Sequence, residues 1–191
     1  MSLDLEMNQP SGRIIQVGAT IHNARNGHLI DSISIYVDPG EPIATDITEL
    51  TGITDDHVKG AAKVREAYLQ LKAWNESHKT FGTPVVWGSG ARNDSSTLHE
   101  QAAVDEQNFM GYRVIDAKTI FQSFQLFTNK KVRAGLGAAT ADMGLEWNST
   151  FGKPHDALAD AHNTALIWFY MMAEYAGAKA KLDKIRSLVK T

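Results

Sequence analysis

Residues 2–7 have the sequence Ser-Leu-Asp-Leu-Glu-Met, in which apolar and polar side chains alternate strictly. Because successive side chains of a β-strand point to opposite faces of its sheet, this alternation predicts a half-buried strand. The leucines and the methionine would face the core, whereas Asp4 and Glu6 would share the other face, about 7 Å apart. Two carboxylates so arranged repel each other and lose hydration, a cost that a divalent cation would remove. The simpler alternative is a solvated face or an edge strand.

Further strands and helices are predicted along the chain. Two apolar segments rich in β-branched residues, 13–21 and 29–37, predict two further strands. Together with 2–7 they would form an antiparallel three-stranded meander. Short strands and helices then alternate, with strands at 84–88 and 112–115 and helices at 45–50, 64–78, 95–104, 117–127, 136–143 and 157–175. A basic tail helix is predicted within 178–191. This order predicts an α/β fold with a central mixed five-stranded sheet flanked by helices, in a single domain spanning 1–191.

Composition is typical of an ordinary globular domain: of 191 residues, 43% are apolar and 21% are charged. The absence of cysteine from the sequence excludes disulfides, thiolate metal sites and a cysteine nucleophile. No secretory signal is visible, and the longest apolar run, 165–173, is far shorter than the roughly 20 residues that span a bilayer. We therefore expect a cytoplasmic protein without membrane contact. The apolar run lies either in the core or in a homodimer contact.

The segment 153–161, Lys-Pro-His-Asp-Ala-Leu-Ala-Asp-Ala, carries a second group of chemically active side chains. Pro154 disfavours helix before it and Asp156 is a good N-cap, so a helix is predicted to begin directly after this aspartate. Asp160 then lies in an early turn among apolar neighbours, where a carboxylate favours a cation. His155 stays on a loop, where an imidazole can act as a general base near neutral pH. The alternative is an ordinary surface histidine.

Asp94 follows the predicted strand 84–88 and a glycine-rich turn, at the start of the next helix. Its simplest role would be that of an N-cap. With Asp4, Glu6 and Asp160 it makes a set of acids that can hold two metal ions and activate a water for attack on a phosphodiester. The sequence contains no P-loop, zinc-peptidase or serine-hydrolase motif.

Taken in order, these motifs resemble those of the DEDDh 3′–5′ exonucleases, the DnaQ-like branch of the ribonuclease H-like superfamily. The segments that carry the resemblance are 3–6 (Leu-Asp-Leu-Glu), 14–19, 38–54 with its Thr-Gly-Ile, Asp94 with Leu98, Asp116, and 155–161 (His-Asp-Ala-Leu-Ala-Asp-Ala). The resemblance extends over residues 2–172. The family usually has an asparagine several residues before the third acid and an aromatic residue directly before it. Gly90 and Asn93 occupy those places here, and Asp105 is the alternative third acid.

The resemblance implies a ribonuclease H-like fold and a two-metal reaction. Asp4, Glu6, Asp94 and Asp160 would hold two Mg²⁺ or Mn²⁺ ions, and His155 would take a proton from the attacking water. The expected products are nucleoside 5′-monophosphates, released from a free 3′ end of single-stranded or frayed DNA or RNA.

The resemblance also implies a site for the terminal nucleotide. The backbone near Met7 and Asn8 and the loop of Thr51, Gly52 and Ile53 would hold that nucleotide, with Ile53 against the end base. The alternative for Gly52 is a helix C-cap alone.

Two other functions remain open at this point. The same fold could serve as a nucleic-acid-binding module with little activity, or as a metal phosphatase that shares only the strand acids. The net charge of −3 provides no basic surface for nucleic acid. Two bound divalent cations would more than cancel that charge, so the acidic balance does not decide between these functions.

Overall fold

A computed structural model describes residues 1–80, 83–88, 93–127, 131–132 and 135–189 of the chain. Within these residues the strands form one five-stranded sheet in the order β3-β2-β1-β4-β5. The strands are β1 (Ser2–Met7), β2 (Ile14–His22), β3 (Leu29–Tyr36), β4 (Val85–Val86) and β5 (Ile115–Asp116). The pairs β1–β2 and β2–β3 are antiparallel, whereas β1–β4 and β4–β5 are parallel. The predicted mixed sheet with an antiparallel first half is confirmed.

Except at the end of the last one, the predicted helices agree with the observed ones to within a few residues. They are α1 (Thr45–Thr51), α2 (Asp55–Val58), α3 (Val64–Ser77), α4 (Asp94–Ala102), α5 (Ala117–Phe127), α6 (Leu136–Asp142) and α7 (Ala157–Val189). A 3₁₀ turn covers Ser149–Phe151. The short helix α2 and this turn were not predicted, because elements of one turn are too short to show a hydrophobic period.

The predicted tail helix is not a separate element. Helix α7 runs without interruption from Ala157 to Val189. Gly177 lies in its interior, where a glycine costs only about 1 kcal/mol relative to alanine, and strong helix formers flank it on both sides. At about 1.5 Å per residue, the basic segment that begins at residue 178 lies about 30–50 Å from the start of α7.

Helices cover both faces of the sheet. On one face Leu3 and Leu5 of β1 pack into a core with α3 and α4. On the other face α7 packs against β1 and β2. Gly18 makes this approach possible, since a Cβ atom there would lie only 2.1 Å from the carbonyl carbon of Ala157. Gly18 is paired with Asp4 in the β1–β2 ladder, so α7 begins beside the acidic face of β1.

The apolar run 165–173 forms part of α7. Ala165, Ile167 and Met171 are buried, and the last two belong to a core that includes Phe121 of α5. Of the two roles predicted for this run, the core role is confirmed for these residues.

Candidate active site

Asp4 and Glu6 lie on the central strand of the sheet. β1 is hydrogen-bonded to β2 on one side and to β4 on the other, and α7 packs on the face that carries the two carboxylates. Both side chains are half-buried. The simpler alternative, an edge strand or a freely solvated face, is therefore wrong.

The start of α7 holds the second group of functional side chains. Asp156 caps the helix, because its Oδ1 accepts hydrogen bonds from the N–H groups of Leu158 (3.0 Å) and Ala159 (3.2 Å). His155 lies outside the helix and is exposed, and its backbone N–H donates to Oδ1 of Asp160 at 3.2 Å. The predicted cap and the loop position of His155 are confirmed. The φ angle of His155 is +66°, a strained conformation of the kind that concentrates at functional sites.

Three of these residues converge on one point. Glu6, His155 and Asp160 each offer one ligand atom, and these atoms all lie within 4.8 Å of one another. Carboxylate oxygens are the ligands that Mg²⁺ and Mn²⁺ prefer, and an imidazole nitrogen also suits a transition metal. The donor set therefore fits a divalent cation.

Asp94 is the first residue of α4 and is not its N-cap. The cap is Asn93, whose side chain accepts a hydrogen bond from the N–H of Ser96. The simpler alternative for Asp94 is therefore wrong. Its charge raises the pKa of Asp4, which indicates that the two carboxylates are neighbours. Asp105 lies beyond the end of α4 and is exposed, so Asp94 is the better third acid.

Asp4, Glu6, Asp94 and Asp160, which we call the acid cluster, all have raised pKa values. Burial, reinforced by the charges of the neighbouring carboxylates, raises the pKa of Asp4 well above its usual range and that of Glu6 to about 8. Burial also raises the pKa of Asp94 to about 7 and that of Asp160 to about 6. Such shifts mean that, when no cation is bound, ionisation of each of these groups lowers the stability of the folded state.

This electrostatic cost predicts how stability depends on pH. A carboxyl group with a raised pKa binds its proton more tightly in the folded state than in the unfolded chain. For Glu6, this contribution to the stability of the folded state is fully present below the ordinary pKa of 4.5. It is lost as the pH rises through about 8, the pKa in the folded state. We therefore expect the melting temperature of the chelator-treated protein to fall between about pH 5 and pH 8.

Mg²⁺ or Mn²⁺ is expected to restore the melting temperature, and more strongly at pH 8 than at pH 5. The control is Glu6→Gln, which removes one of the four carboxyl groups with raised pKa values and should weaken both the pH dependence and the response to metal. A melting temperature that responds neither to pH nor to metal in the unsubstituted protein would contradict the prediction.

Comparison with known proteins identifies the family. The model of the family RNase_T, described as "Exonuclease", matches residues 1–168. The chain belongs to this exonuclease family. Its curated relatives include the PolC-type DNA polymerase III of Streptococcus pneumoniae, 27% identical over 173 residues that cover 91% of this chain. The chain spans only 11% of the length of that polymerase.

Solved structures confirm the fold of this chain. The nuclease domain of 3′hExo, described as a DEDDh family member bound to rAMP, superposes with a TM-score of 0.71 at 21% identity and covers 90% of each chain. Exonuclease X in complex with 5′ overhanging duplex DNA gives 0.63 at 15% identity, again over 90% of each chain. The predicted resemblance to DEDDh exonucleases and the predicted ribonuclease H-like fold are thus confirmed.

Gln16 is a residue of this candidate site that the sequence reasoning missed. It is buried on β2, directly opposite Glu6 in the β1–β2 ladder. Its Oε1 accepts from the N–H of Ala157 (3.0 Å), and its Nε2 donates to Oδ2 of Asp156 (3.3 Å). Gln16 therefore joins the start of α7 to the sheet beside Glu6. The sequence signal for this role is a polar residue among the apolar ones at the start of β2.

Some of the residues predicted to bind the terminal nucleotide are buried in the structure, and others are accessible. Asn8 is buried, and its side chain donates to Glu41 and to the carbonyl of Pro42 while it accepts from the N–H of Ala44. Its backbone N–H and carbonyl are bonded to Arg13 and Gly12. Asn8 therefore holds the segment that leads into α1, and none of these groups is available to a nucleotide.

The Thr-Gly-Ile loop also contains both buried and exposed residues. Ile53 is only 3% exposed and packs with Ile15 and Ile47, so it is inaccessible to an end base. Thr51 is buried, and its hydroxyl bonds to the backbone of Ile47 and Ile53. Gly52 is exposed and forms the C-cap of α1 with φ +83°, as the alternative predicted. Accessible surface remains at Gly52 and at the half-buried Met7.

Asp116 lies at the end of β5 and caps α5. Its carboxylate accepts hydrogen bonds from the N–H of Gly88 (3.2 Å) and from the N–H (3.1 Å) and hydroxyl (2.6 Å) of Thr119. These contacts tie β4 to α5, which is a structural role.

Proposed function

We propose that this chain is a metal-dependent 3′–5′ exonuclease that releases nucleoside 5′-monophosphates from free 3′ ends of single-stranded or frayed nucleic acid. The observation that carries the proposal is the convergence of Glu6, Asp160 and His155, with Asp4 beside Asp94 next to them. Membership of the exonuclease family supports the reaction class.

Each residue has a role that follows from its position. We assign Asp4, Glu6 and Asp160 to one divalent cation, and Asp4 and Asp94 to a second. Bound cations would supply positive charge to the phosphate and lower the pKa of the attacking water. Because burial disfavours the charged form of these carboxylates, bound cations would also stabilise their ionised state.

His155 is proposed as the general base. It lies on an exposed loop, where its side chain can reach solvent and substrate, and its backbone is tied to Asp160. The attacking water would donate a proton to an imidazole nitrogen, and the 3′-oxygen of the preceding nucleotide would leave.

The substrate class is drawn from the relatives. The 3′hExo nuclease domain is described with bound rAMP, and Exonuclease X with duplex DNA that has a 5′ overhang. Both ligands are nucleotides or nucleic acid bound to the same fold. We assign the terminal nucleotide of this chain's substrate to the surface between Met7 and Gly52.

Two further expectations accompany the proposal. In the part of the chain that the structure describes, no helix combines the length and apolar character that a bilayer crossing needs. A cytoplasmic location and a homodimer through the apolar part of α7 stay predictions.

The test is the degradation of 5′-labelled DNA and RNA oligonucleotides of one sequence, with Mg²⁺, with Mn²⁺ and with chelator. We expect a metal-dependent ladder that shortens from the 3′ end, with nucleoside 5′-monophosphates as products. Release of phosphate from mononucleotides without shortening would instead indicate a phosphatase. Binding of the oligonucleotides without turnover in either metal would indicate a binding module.

A further inference from the structure

A lysine lies on the β4–β5 side of the strand that carries Asp4 and Glu6. Lys118 is the second residue of α5, and its side chain extends along Gly88, just past the end of β4. A Cβ atom at Gly88 would lie 3.6 Å from Cδ and 3.9 Å from Nζ of Lys118. Because β4 runs parallel to β1, Gly88 lies toward the edge of the sheet at which β1 ends. Helix α5 packs against α7, so Lys118 is on the face that carries Asp4 and Glu6.

The ammonium group of Lys118 has no hydrogen bond or ion pair with any residue that the structure describes. Asp116, the acid nearest in sequence, directs its carboxylate to Gly88 and Thr119 instead. The helix dipole disfavours a cation in the first turn of a helix, so the stability of α5 does not account for this lysine. Lys118 as a residue is half-buried, and a lysine in this position favours an anion from outside the chain.

A second lysine flanks the acid cluster on the opposite side. Lys153 precedes the His155 loop, and its Nζ lies 3.4 Å from the carbonyl oxygen of Leu50 and next to Gly52. In the proposed function, the terminal nucleotide lies on this side and the scissile phosphate lies at the acid cluster. The rest of the strand must then leave on the other side, where Lys118 is.

We propose that Lys118 binds the next phosphate of the substrate strand, on the 5′ side of the scissile phosphodiester. This inference rests on the proposed function and extends it to a substrate of at least three nucleotides, the shortest strand that has this phosphate internally. Lysine binds phosphate as a point charge and does not contact base edges, so the contact is independent of base sequence.

The experiment compares Lys118→Ala with the full chain on two substrates. One is a single-stranded oligonucleotide, and the other is the p-nitrophenyl ester of thymidine 5′-monophosphate, which has a scissile phosphate and no further one. We expect the KM for the oligonucleotide to rise about tenfold at low salt, with the ester kinetics unchanged. The slope of log(kcat/KM) against log salt should become shallower by about 0.7, the value for one phosphate contact on a single strand.

Two further variants sharpen the comparison. Lys118→Arg should recover most of the affinity, because the charge is retained. Lys179 lies in α7, about 30 Å or more from the start of that helix. Lys179→Ala removes the same charge and should leave the kinetics on both substrates unchanged. Equal losses on the ester and the oligonucleotide, or no loss on either, would overturn the role of Lys118 while the exonuclease activity stands.

If the full chain hydrolyses neither substrate, the proposed function itself fails. The anisotropy of a labelled single-stranded oligonucleotide, measured without metal, then still tests the lysine. Weaker binding and a shallower salt slope in Lys118→Ala support the contact, and equal binding overturns it.

Discussion

Asp160→Asn is expected to reduce nuclease activity by more than about 100-fold, since even residues that only support a metal ligand are worth 10–100-fold. The amide keeps the shape of the side chain and can still accept the hydrogen bond from the N–H of His155. It cannot bear the negative charge that a divalent cation requires. The assay is the rate of oligonucleotide shortening at saturating Mn²⁺.

The same variant is expected to be more stable than the unsubstituted protein when metal is absent. Burial raises the pKa of Asp160 from 3.8 to about 6, so its carboxylate destabilises the folded state progressively above about pH 4 and fully above about pH 6. Asparagine removes that cost. The melting temperature in chelator should therefore rise at pH 8 and stay unchanged near pH 4.

Asp156→Asn is the matched control, because it makes the same chemical change one helical turn away. Asparagine is as good an N-cap as aspartate, so the hydrogen bonds to Leu158 and Ala159 can be kept. We expect this variant to retain most of its activity. Comparable activity in Asp160→Asn and Asp156→Asn would contradict the assignment of Asp160 as a metal ligand.

Gly18→Ala is expected to have the largest effect on the fold. The added Cβ atom would lie 2.1 Å from the carbonyl carbon of Ala157 and 2.2 Å from the backbone nitrogen of Leu158. Both contacts are with backbone, which cannot rotate away as a side chain can. We expect the free energy of unfolding to fall by about 3 kcal/mol or more, at the upper end for overpacked sites. The measurement is urea denaturation followed by circular dichroism.

Activity should fall together with stability in Gly18→Ala. Helix α7 can avoid the clash only by moving away from β2, and that movement carries His155 and Asp160 away from Glu6. The control is Gly177→Ala in the same helix, where a Cβ atom meets nothing within 4 Å. That variant should gain up to about 1 kcal/mol and keep full activity. A Gly18→Ala protein that is as stable and active as the original would show that α7 does not approach β2 so closely.

Local sequence patterns were sufficient for much of the fold. The alternation at 2–7 determined a strand with both carboxylates on one face, and Pro154 with Asp156 determined where α7 begins. These features depend on contacts within a few residues, and the sequence displays those contacts directly. The same reasoning divided the last helix in two, whereas α7 runs from Ala157 to Val189.

The order of the acids and of His155 along the chain was sufficient to identify the family. The chemistry of the candidate site was therefore accessible from residue types and spacing alone. The positions that bind or exclude substrate could not be predicted from residue types and spacing. Asn8 and Ile53 matched the motif, yet both are buried, and burial depends on which neighbours the folded chain brings against them.

Residue types and their spacing were enough to predict which acids could meet and which element carries each of them. Three features became evident only in the folded chain: Asn93, and not Asp94, caps α4; Gln16 joins the sheet to α7; and Lys118 extends along Gly88. The bond from Gln16 to Ala157 spans 141 residues, and no local pattern encodes a contact of that separation. Such contacts arise from the packing of α7 on the sheet, which depends on the whole core at once.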